Sequence, residues 1–364
     1  MERSDAFSHY IDYLIASKGQ ATATGLSELL DNGMKHDYIS DCLSQEGLDQ
    51  KAFWKAVKPL VRKVEAEDSV LSIDDVIIPK PHTNGNDVVC HHFDHTSGRS
   101  VKGINKVNFL LSGEHGGQTV NCPIAYRIVR KDVPYVDKSG KTKYKSALTK
   151  NEMAIEELHR AVSLNKVKFR YVLFDIWFGS SATLKYIHGT LEKKFVCPLK
   201  SNRLLALSAD AKERGEFVAV SQVGFGSGVP LVAYVKGLDF PVLLIRQVFT
   251  NKDRSTAEQY LITNDMGLGS ARIAAIYKKR WKVEEMHKSL KQNALLGKSP
   301  TKTETSQCNH IFAVMLAYVR LEWLKIKERM NHFALKAKLY MKMLRAAFDE
   351  LQVLKGDADP CSII

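Results

Sequence analysis

Three acidic residues interrupt apolar runs, where burying a carboxylate is costly. Asp74 and Asp75 stand between VLSI and VIIP, and Asp175 stands between YVLF and IWF. A charge within or at the end of a buried strand needs an Arg, a backbone cap or a metal ion as its partner. Alternation along a strand sends Asp74 and Asp75 to opposite faces, and the sequence pattern leaves open which of them belongs to a site.

A fourth acid lies on a predicted helix that is rich in bases. From Ser270 to about Gln292 the spacing is helical, and at about 100° per residue one stripe contains Tyr277, Arg280, Glu284 and Lys291. A separate apolar stripe can pack on a sheet. Salt bridges on a solvated face would explain the charges. Trp281 beside the stripe is unusual for such a face, because an exposed indole usually has something to stack on.

These residue types together suit metal-dependent phosphodiester chemistry. Two strand carboxylates and a helix glutamate would make an all-oxygen site for Mg²⁺ or Mn²⁺, with room for two ions. Two ions can activate a water or a 3′ hydroxyl and stabilise the leaving oxygen of an in-line displacement. The basic face with its tryptophan would hold a DNA backbone and stack an unpaired base.

The composition agrees with a nucleic-acid partner. Lys and Arg number 53 against 40 Asp and Glu, which gives a net charge of +13 and indicates a polyanionic partner. With 45% hydrophobic and 26% charged residues, the chain is neither a collagen, a disordered tail nor a coiled-coil rod.

Location is predicted from what the sequence lacks. No apolar run is long enough to cross a bilayer, and the start has no apolar signal core. The six cysteines lie far apart, which argues against a disulfide scaffold or a zinc ribbon and indicates a reducing cytoplasm.

The predicted secondary structure that positions these residues changes along the chain. Helical spacing up to about Glu67 gives way to strands and hairpins from Ser69, a helix over Met153 to Val162, and the buried strand FRYVLFDIWF. A second strand-rich region follows, and helices return after Gly269. We predict an α/β fold with a mixed sheet, flanked by helical N- and C-terminal regions. These patterns divide the chain into a helical segment (1–67), a mixed α/β segment (68–194), a strand-rich segment (195–265), a second helical segment (266–300) and a C-terminal helical region (301–364).

One competing cluster has the residue types of a zinc site: Cys90, His91, His92, Asp94 and His95. On a strand, His91 and His92 point to opposite faces, and no second Cys/His pair lies at a finger-like distance. Hydrogen-bonded hairpin histidines are the preferred interpretation.

The segment YKKRWKVEEMHKSLK resembles the Tyr-Arg-Glu-Lys signature of DDE transposases from bacterial cut-and-paste insertion sequences. LFDIWF looks like the second-aspartate motif of that family, and SIDDVIIPKP with HFDHTSGRSVKGIN looks like its first-aspartate region. The resemblance implies a ribonuclease H-like core with a β-strand insertion between the second Asp and the Glu. The domains would then be a helical DNA-binding module (1–67), the first part of the catalytic core (68–194), the β-rich insertion (195–265), the signature helix of the core (266–300) and a C-terminal helical region (301–364). It also implies that Asp74, Asp175 and Glu284 are the catalytic, metal-binding triad, with Asp74 preferred over Asp75 because it directly follows the apolar run.

The same resemblance implies the DNA contacts. Tyr277, Arg280 and Lys291 would bind phosphates near the cleaved end, and Lys288 could add a further contact. Trp281 would stack on a base displaced when the flank leaves through a hairpin. Some family members carry a second tryptophan where this chain reads AEQYLITND, and Tyr260 is the candidate substitute.

The leading hypothesis is therefore a transposase that binds the terminal inverted repeats of its own element, cuts the strands and joins the ends to target DNA. It would need Mg²⁺ or Mn²⁺ and act as a homodimer on double-stranded DNA, in the bacterial cytoplasm at the nucleoid and without a membrane. The alternatives are a transposase-derived regulator that binds DNA without cutting it and a metal-dependent endonuclease without strand transfer.

Overall fold

The computed structural model describes residues 3–45, 48–95, 97–224, 226, 228–250 and 253–355. The chain divides into two compact units. Residues 1–46 and 288–364 form one, called here the helical unit, and residues 47–287 form the other, called the sheet unit.

Helices occupy both ends of the chain and separate the strands. The α-helices are α1 (Arg3–Ala16), α2 (Ala23–Leu29), α3 (His36–Ser44), α4 (Gln50–Val64), α5 (Lys150–His159), α6 (Ser181–Lys185), α7 (Ala209–Glu213), α8 (Ser270–Lys278), α9 (Trp281–Asn293), α10 (Glu304–Glu328) and α11 (His332–Lys355). Short π-helical turns over Arg160–Leu164 and Tyr186–Thr190 extend α5 and α6.

The strands are β1 (Val70–Pro79), β2 (Cys90–Asp94), β3 (Arg99–His115), β4 (Gln118–Ile128), β5 (Val133–Val136), β6 (Thr142–Lys145), β7 (Tyr171–Phe174), β8 (Lys194–Leu199), β9 (Leu204–Ala206), β10 (Val218–Ala219), β11 (Leu231–Val235), β12 (Val242–Thr250) and β13 (Thr256–Thr263). All except β5 and β6 belong to one sheet, in the order β10-β9-β11-β12-β13-β8-β7-β1-β3-β2, with β4 paired to β3. The pairs β1–β7 and β7–β8 are parallel, and the other pairs are antiparallel. The predicted mixed α/β architecture with helices at both ends is confirmed.

The centre of the sheet is buried because its strands are apolar on both faces. All four residues of β7 are buried, as are the first five of β1. Helix α8 packs Ile273 and Ile276 into a core cluster with Val70, Leu173 and Val196 from three central strands. This packing fixes α8 on the sheet and therefore fixes where the residues after it lie.

Helix α4 also belongs to the sheet unit. Its Phe53 meets Tyr126 of β4 edge to face, with ring centroids 5.2 Å apart, and the Gln50 side chain donates to the Tyr126 carbonyl. The apolar face of α4 is thus covered by the sheet.

The helical unit is organised around α10, most of which is buried. Thr303 caps this helix by accepting a hydrogen bond from the Ser306 N–H. The Tyr10 hydroxyl of α1 lies 2.9 Å from His310 Nδ1, and Arg320 donates to the Ser8 carbonyl at 3.0 Å. No helix in the described ranges combines the length and the apolar character needed to cross a membrane.

Candidate metal site and its two grooves

Two of the predicted acids occupy equivalent places on neighbouring parallel strands. Ile73 of β1 is paired with Phe174 of β7, so Asp74 and Asp175 follow at the same level of the sheet. Strand β1 continues beyond Asp74, whereas β7 ends at Phe174, and the predicted continuous strand FRYVLFDIWF is therefore wrong beyond that residue. The backbone turns because the Asp175 carboxylate accepts the Trp177 N–H at 3.0 Å.

Glu284 and Arg280 approach Asp74 from the helices. The prediction of one helix over Ser270–Gln292 is wrong at Lys279 and Arg280, where a turn separates α8 from α9. The N–H groups of Lys279 and Arg280 bond to carbonyls three residues back, which tightens the chain into a 3₁₀-like turn. The turn leaves Arg280 between two acids, 3.4 Å from Asp74 Oδ2 and 3.5 Å from Glu284 Oε1.

His287 completes a cluster that could hold a metal ion. Ligand atoms of Asp74, Glu284 and His287 all lie within 4.8 Å of one another. His287 Nε2 is 2.9 Å from the Asn108 side-chain nitrogen, and Asn108 is paired with Asp74 across β1 and β3. The sequence pattern predicts that His287 is a packed or hydrogen-bonded neighbour of the stripe, and its burial and its contact with Asn108 confirm this. The pattern does not predict its place beside the two acids. Its i+3 spacing from Glu284 was the available signal.

Burial and mutual repulsion make this cluster electrostatically strained without a cation. Burial and the nearby Glu284 raise the pKa of Asp74 to about 8, although Arg280 opposes the shift. Burial also raises the pKa of Asp175, while the Trp177 N–H lowers it in part. Burial alone would lower the pKa of Arg280, but Tyr277, Asp74 and Glu284 raise it above its ordinary value. Deprotonating Asp74 therefore needs more positive charge than Arg280 supplies.

A pH dependence of stability follows for the metal-free protein. The Asp74 carboxyl titrates at about 8 when folded but near about 3.9 when unfolded. Between those values the folded chain holds one more proton, so Asp74's contribution to stability falls as pH rises and is lost above about 8. We expect Asp74→Asn to stabilise the protein relative to wild type in chelator. This advantage should grow from pH 5 to 8, by at most about 1.4 kcal/mol per pH unit.

Melting temperatures of both proteins across that range, with chelator and with Mn²⁺, measure the effect. Saturating Mn²⁺ should reverse the ranking, because only wild type retains the ligand. A stability difference that does not vary with pH would contradict the buried, protonated Asp74.

Asp75 has different partners from Asp74. Its Oδ2 accepts hydrogen bonds from Lys150 Nζ at 2.7 Å and from Asn105 Nδ2 at 3.0 Å. Lys150 opens α5, whose first turn is fixed by a capping box between Thr149 and Glu152. Asp75 is thus already neutralised by a base, whereas Asp74 lies against Glu284 and Arg280.

Two open grooves adjoin the cluster. The first, of about 980 Å³, is lined by Trp281, by Arg280 with neighbouring lysines, and by Phe249 of β12. Trp281 is 60% exposed and Phe249 46% exposed, so two aromatic rings are available there. Tyr260, the candidate for a second stacking residue, is instead only 7% exposed, and its hydroxyl donates to Glu258.

The second groove, of about 690 Å³, contains Asp175. Lys200, Ser201 and Asn202 from the turn after β8 line it on one side, and Tyr277 and Arg280 are shared with the first groove. Burial raises the pKa of Tyr277 to about 12, so its hydroxyl stays protonated and can donate to an anion. Asp175 lies outside the three-residue cluster but faces this adjoining space.

The two remaining predicted DNA contacts lie in the helical unit. Lys288 and Lys291 are exposed on the second half of α9. The Lys288 ammonium lies 5.2 Å from the centre of the Phe333 ring, and its position is therefore set by α11.

Comparisons with known families give the class of protein. Residues 1–214 match the family described as "DDE superfamily endonuclease". The chain belongs to the DDE superfamily. Residues 117–351 also match a family described as "Archaeal putative transposase ISC1217", so this DDE protein belongs to a transposase family as well. The prediction of a DDE protein is thereby confirmed at the level of the superfamily.

Other comparisons add little to this assignment. A search of curated proteins found no match. Among solved structures, the DDE chain is similar to a protein in "Drosophila P element transposase strand transfer complex", with 8% identity and a TM-score of 0.26. That similarity covers 51% of this chain and 36% of the other.

Proposed function

We propose that this DDE protein is a transposase that binds the terminal inverted repeats of a mobile element, cleaves the DNA at each end and transfers the ends to target DNA. The observation that carries the proposal is the convergence of Asp74 and Glu284 on Arg280, with Asp175 at the same level of the sheet. The order β4-β3-β1-β7-β8, antiparallel and then parallel, supports a ribonuclease H-like core.

The residues present fit a divalent cation. The oxygens of Asp74, Asp175 and Glu284 are hard ligands of the kind that Mg²⁺ and Mn²⁺ prefer, and His287 adds a nitrogen that suits Mn²⁺ better. The raised pKa of Asp74 shows that the acids lack compensating charge. When bound, one or two such ions would supply an activated water or 3′ hydroxyl and charge stabilisation at the phosphodiester.

The protein's own side chains would bind the DNA backbone and hold a candidate metal ligand in position. The Arg280 guanidinium, now shared by Asp74 and Glu284, would be released to a DNA phosphate when a cation neutralises the acids. The Tyr277 hydroxyl would donate to the same backbone. Asn108, which contacts His287 Nε2, would fix the orientation of the imidazole and so of its other ring nitrogen, the candidate ligand atom, which is 3.9 Å from Glu284 Oε2.

Trp281 and the basic residues of α9 would hold the cut end. The exposed indole would stack on a displaced base at the hairpin stage, and Phe249 is the aromatic residue available beside it in this chain. Lys288 and Lys291 would add phosphate contacts, and bringing two ends together would require a homodimer on DNA. The predicted domain boundaries, the DNA-binding role of residues 1–67 and the bacterial, nucleoid-associated setting remain part of this proposal.

The proposal is tested by incubating the full chain with labelled DNA that carries the flanks of its own gene, with Mg²⁺, Mn²⁺ or chelator. We expect metal-dependent cuts at repeated ends, followed by joining to a second DNA. Tight binding without a cut would favour a regulator, and cutting without regard to the ends would favour a plain endonuclease.

A further inference from the structure

We propose that Trp177, with His95 and Lys200, forms a stacking site for an unpaired nucleobase beside Asp175, separate from the Trp281 groove. The proposal rests on the proposed function, since it places a DNA strand at the acidic cluster. It concerns residues of the Cys/His-rich hairpin and of the second-aspartate loop that the metal site does not use.

Trp177 is held rigidly at the edge of the acidic cluster. Its N–H donates to Asp175 Oδ1 at 3.0 Å, and its carbonyl accepts a hydrogen bond from Asn151 Nδ2 at 3.1 Å. Asn151 in turn accepts from the Thr183 hydroxyl at 2.9 Å, so α5 and α6 both hold the loop. Despite this fixed backbone, 44% of Trp177 is exposed. A large apolar ring kept in solvent next to a proposed catalytic acid indicates a ligand surface.

The two faces of the indole are covered differently. The His95 imidazole lies parallel to it, with ring centroids 3.8 Å apart and planes 19° from parallel. The Lys200 ammonium lies over the ring 4.5 Å from its centroid. Because the imidazole fills one face, the ammonium must lie over the other. One face is therefore backed by a ring, and the other is covered, among the described residues, by the exposed Lys200 side chain.

The face under Lys200 is the one that a base could use. Lys200 lines the groove that contains Asp175, and its ammonium lies over the Trp177 ring. A strand in that groove would therefore meet the ammonium first, with the indole directly beneath it. Insertion of a base would displace the ammonium toward the phosphates of the strand. A cation interacts more favourably with a phosphate than with the face of an indole. Phe93, which is 57% exposed and meets His95 edge to face at 4.9 Å, extends the aromatic surface outward.

This arrangement predicts that the site binds an unpaired base rather than a paired one, and that it has little preference among the four bases. Stacking in the space under Lys200 needs a single base that is free of its pair and of its stacked neighbours, and every base has a face for such stacking. Trp281 lines the first groove, whereas Trp177 adjoins the second through Asp175 and Lys200, so there is an exposed tryptophan near each groove. We infer that the two strands of an opened end are held separately, one on each tryptophan.

The test compares two DNA probes on the full chain in Ca²⁺ buffer, a duplex with a short single-stranded thymidine tail and the same duplex with a blunt end. Fluorescence anisotropy gives the two affinities. Trp177→Ala should weaken binding of the tailed duplex by roughly tenfold and leave blunt binding unchanged. Trp177→Phe should restore most of the loss. Tyr144→Ala, which removes a 57% exposed ring on β6, is the matched control and should change neither affinity.

Equal affinity of Trp177→Ala and wild type for the tailed duplex would overturn the stacking site. So would an equal loss on both probes, or a Trp177→Phe variant as weak as the alanine variant. Wild-type cleavage of the element ends is measured separately. If wild type cuts those ends and Trp177→Ala binds the tailed duplex as tightly as wild type does, the stacking site is wrong and the transposase proposal stands. If wild type does not cut the ends but binds the tailed duplex more tightly than the blunt one, and Trp177→Ala loses that difference, the transposase proposal is wrong and the stacking site stands.

Discussion

Replacing Glu284 by Gln will reduce metal-dependent cleavage of the element ends by roughly a thousandfold or more and leave binding to those ends nearly unchanged. The carboxylate lies in the cluster with Asp74 and His287, and an amide of the same shape cannot balance a divalent cation. Losing the metal's several kcal/mol of transition-state stabilisation corresponds to that factor. The phosphate contacts proposed for Tyr277 and the α9 lysines do not depend on the metal and would remain, so affinity for DNA should persist.

Glu285→Gln is the matched control for this prediction. Glu285 is the next residue on α9, is exposed, and pairs with Lys282 at 2.8 Å rather than with the cluster. Cleavage and binding are measured by gel assay on the same labelled ends for both variants. Cleavage by Glu284→Gln at the wild-type rate would remove Glu284 from the metal site.

Asp74→Asn and Asp75→Asn should have opposite consequences although the residues are adjacent. Asp74 is 7% exposed and lies against Arg280 and Glu284, so its loss should weaken Mn²⁺ binding and reduce cleavage by at least about a hundredfold. Asp75→Asn loses only the pair with Lys150, and we expect near-normal metal affinity with about 1 kcal/mol lower stability.

Calorimetric titration with Mn²⁺, together with the cleavage assay, separates the two variants. Thermal unfolding in chelator confirms that each variant is folded. If Asp75→Asn loses the metal and Asp74→Asn keeps it, the first ligand has been assigned to the wrong face of β1.

Several features of the site followed directly from the sequence. The pattern placed acids inside apolar runs, a glutamate on a basic helix and a strand-rich middle between helical ends, and the structure has each of these. The helical prediction failed only locally, at Lys279 and Arg280, because three-residue hydrogen bonds replace the regular ones without disturbing the spacing of Tyr277 and Glu284. The periodicity of the sequence cannot reveal a change of only two residues in the hydrogen bonding of a helix.

Other features depended on contacts between residues far apart in the chain. Asn108 lies beside His287 because β3 pairs with β1 and α9 meets the same face, and nothing near either residue in the sequence indicates it. Trp177, His95 and Lys200 come from three separate loops and form one stack.

The sequence by itself determined which acidic, basic and aromatic residues are available to a site in this DDE protein, since residue types and their local periods are properties of the chain alone. Only the tertiary structure decided which carboxylate of the Asp74–Asp75 pair faces Glu284, because alternation along a strand gives two faces but does not say which one the helix covers. That choice is made by the packing of Ile273 and Ile276 against the central strands, which is a non-local contact.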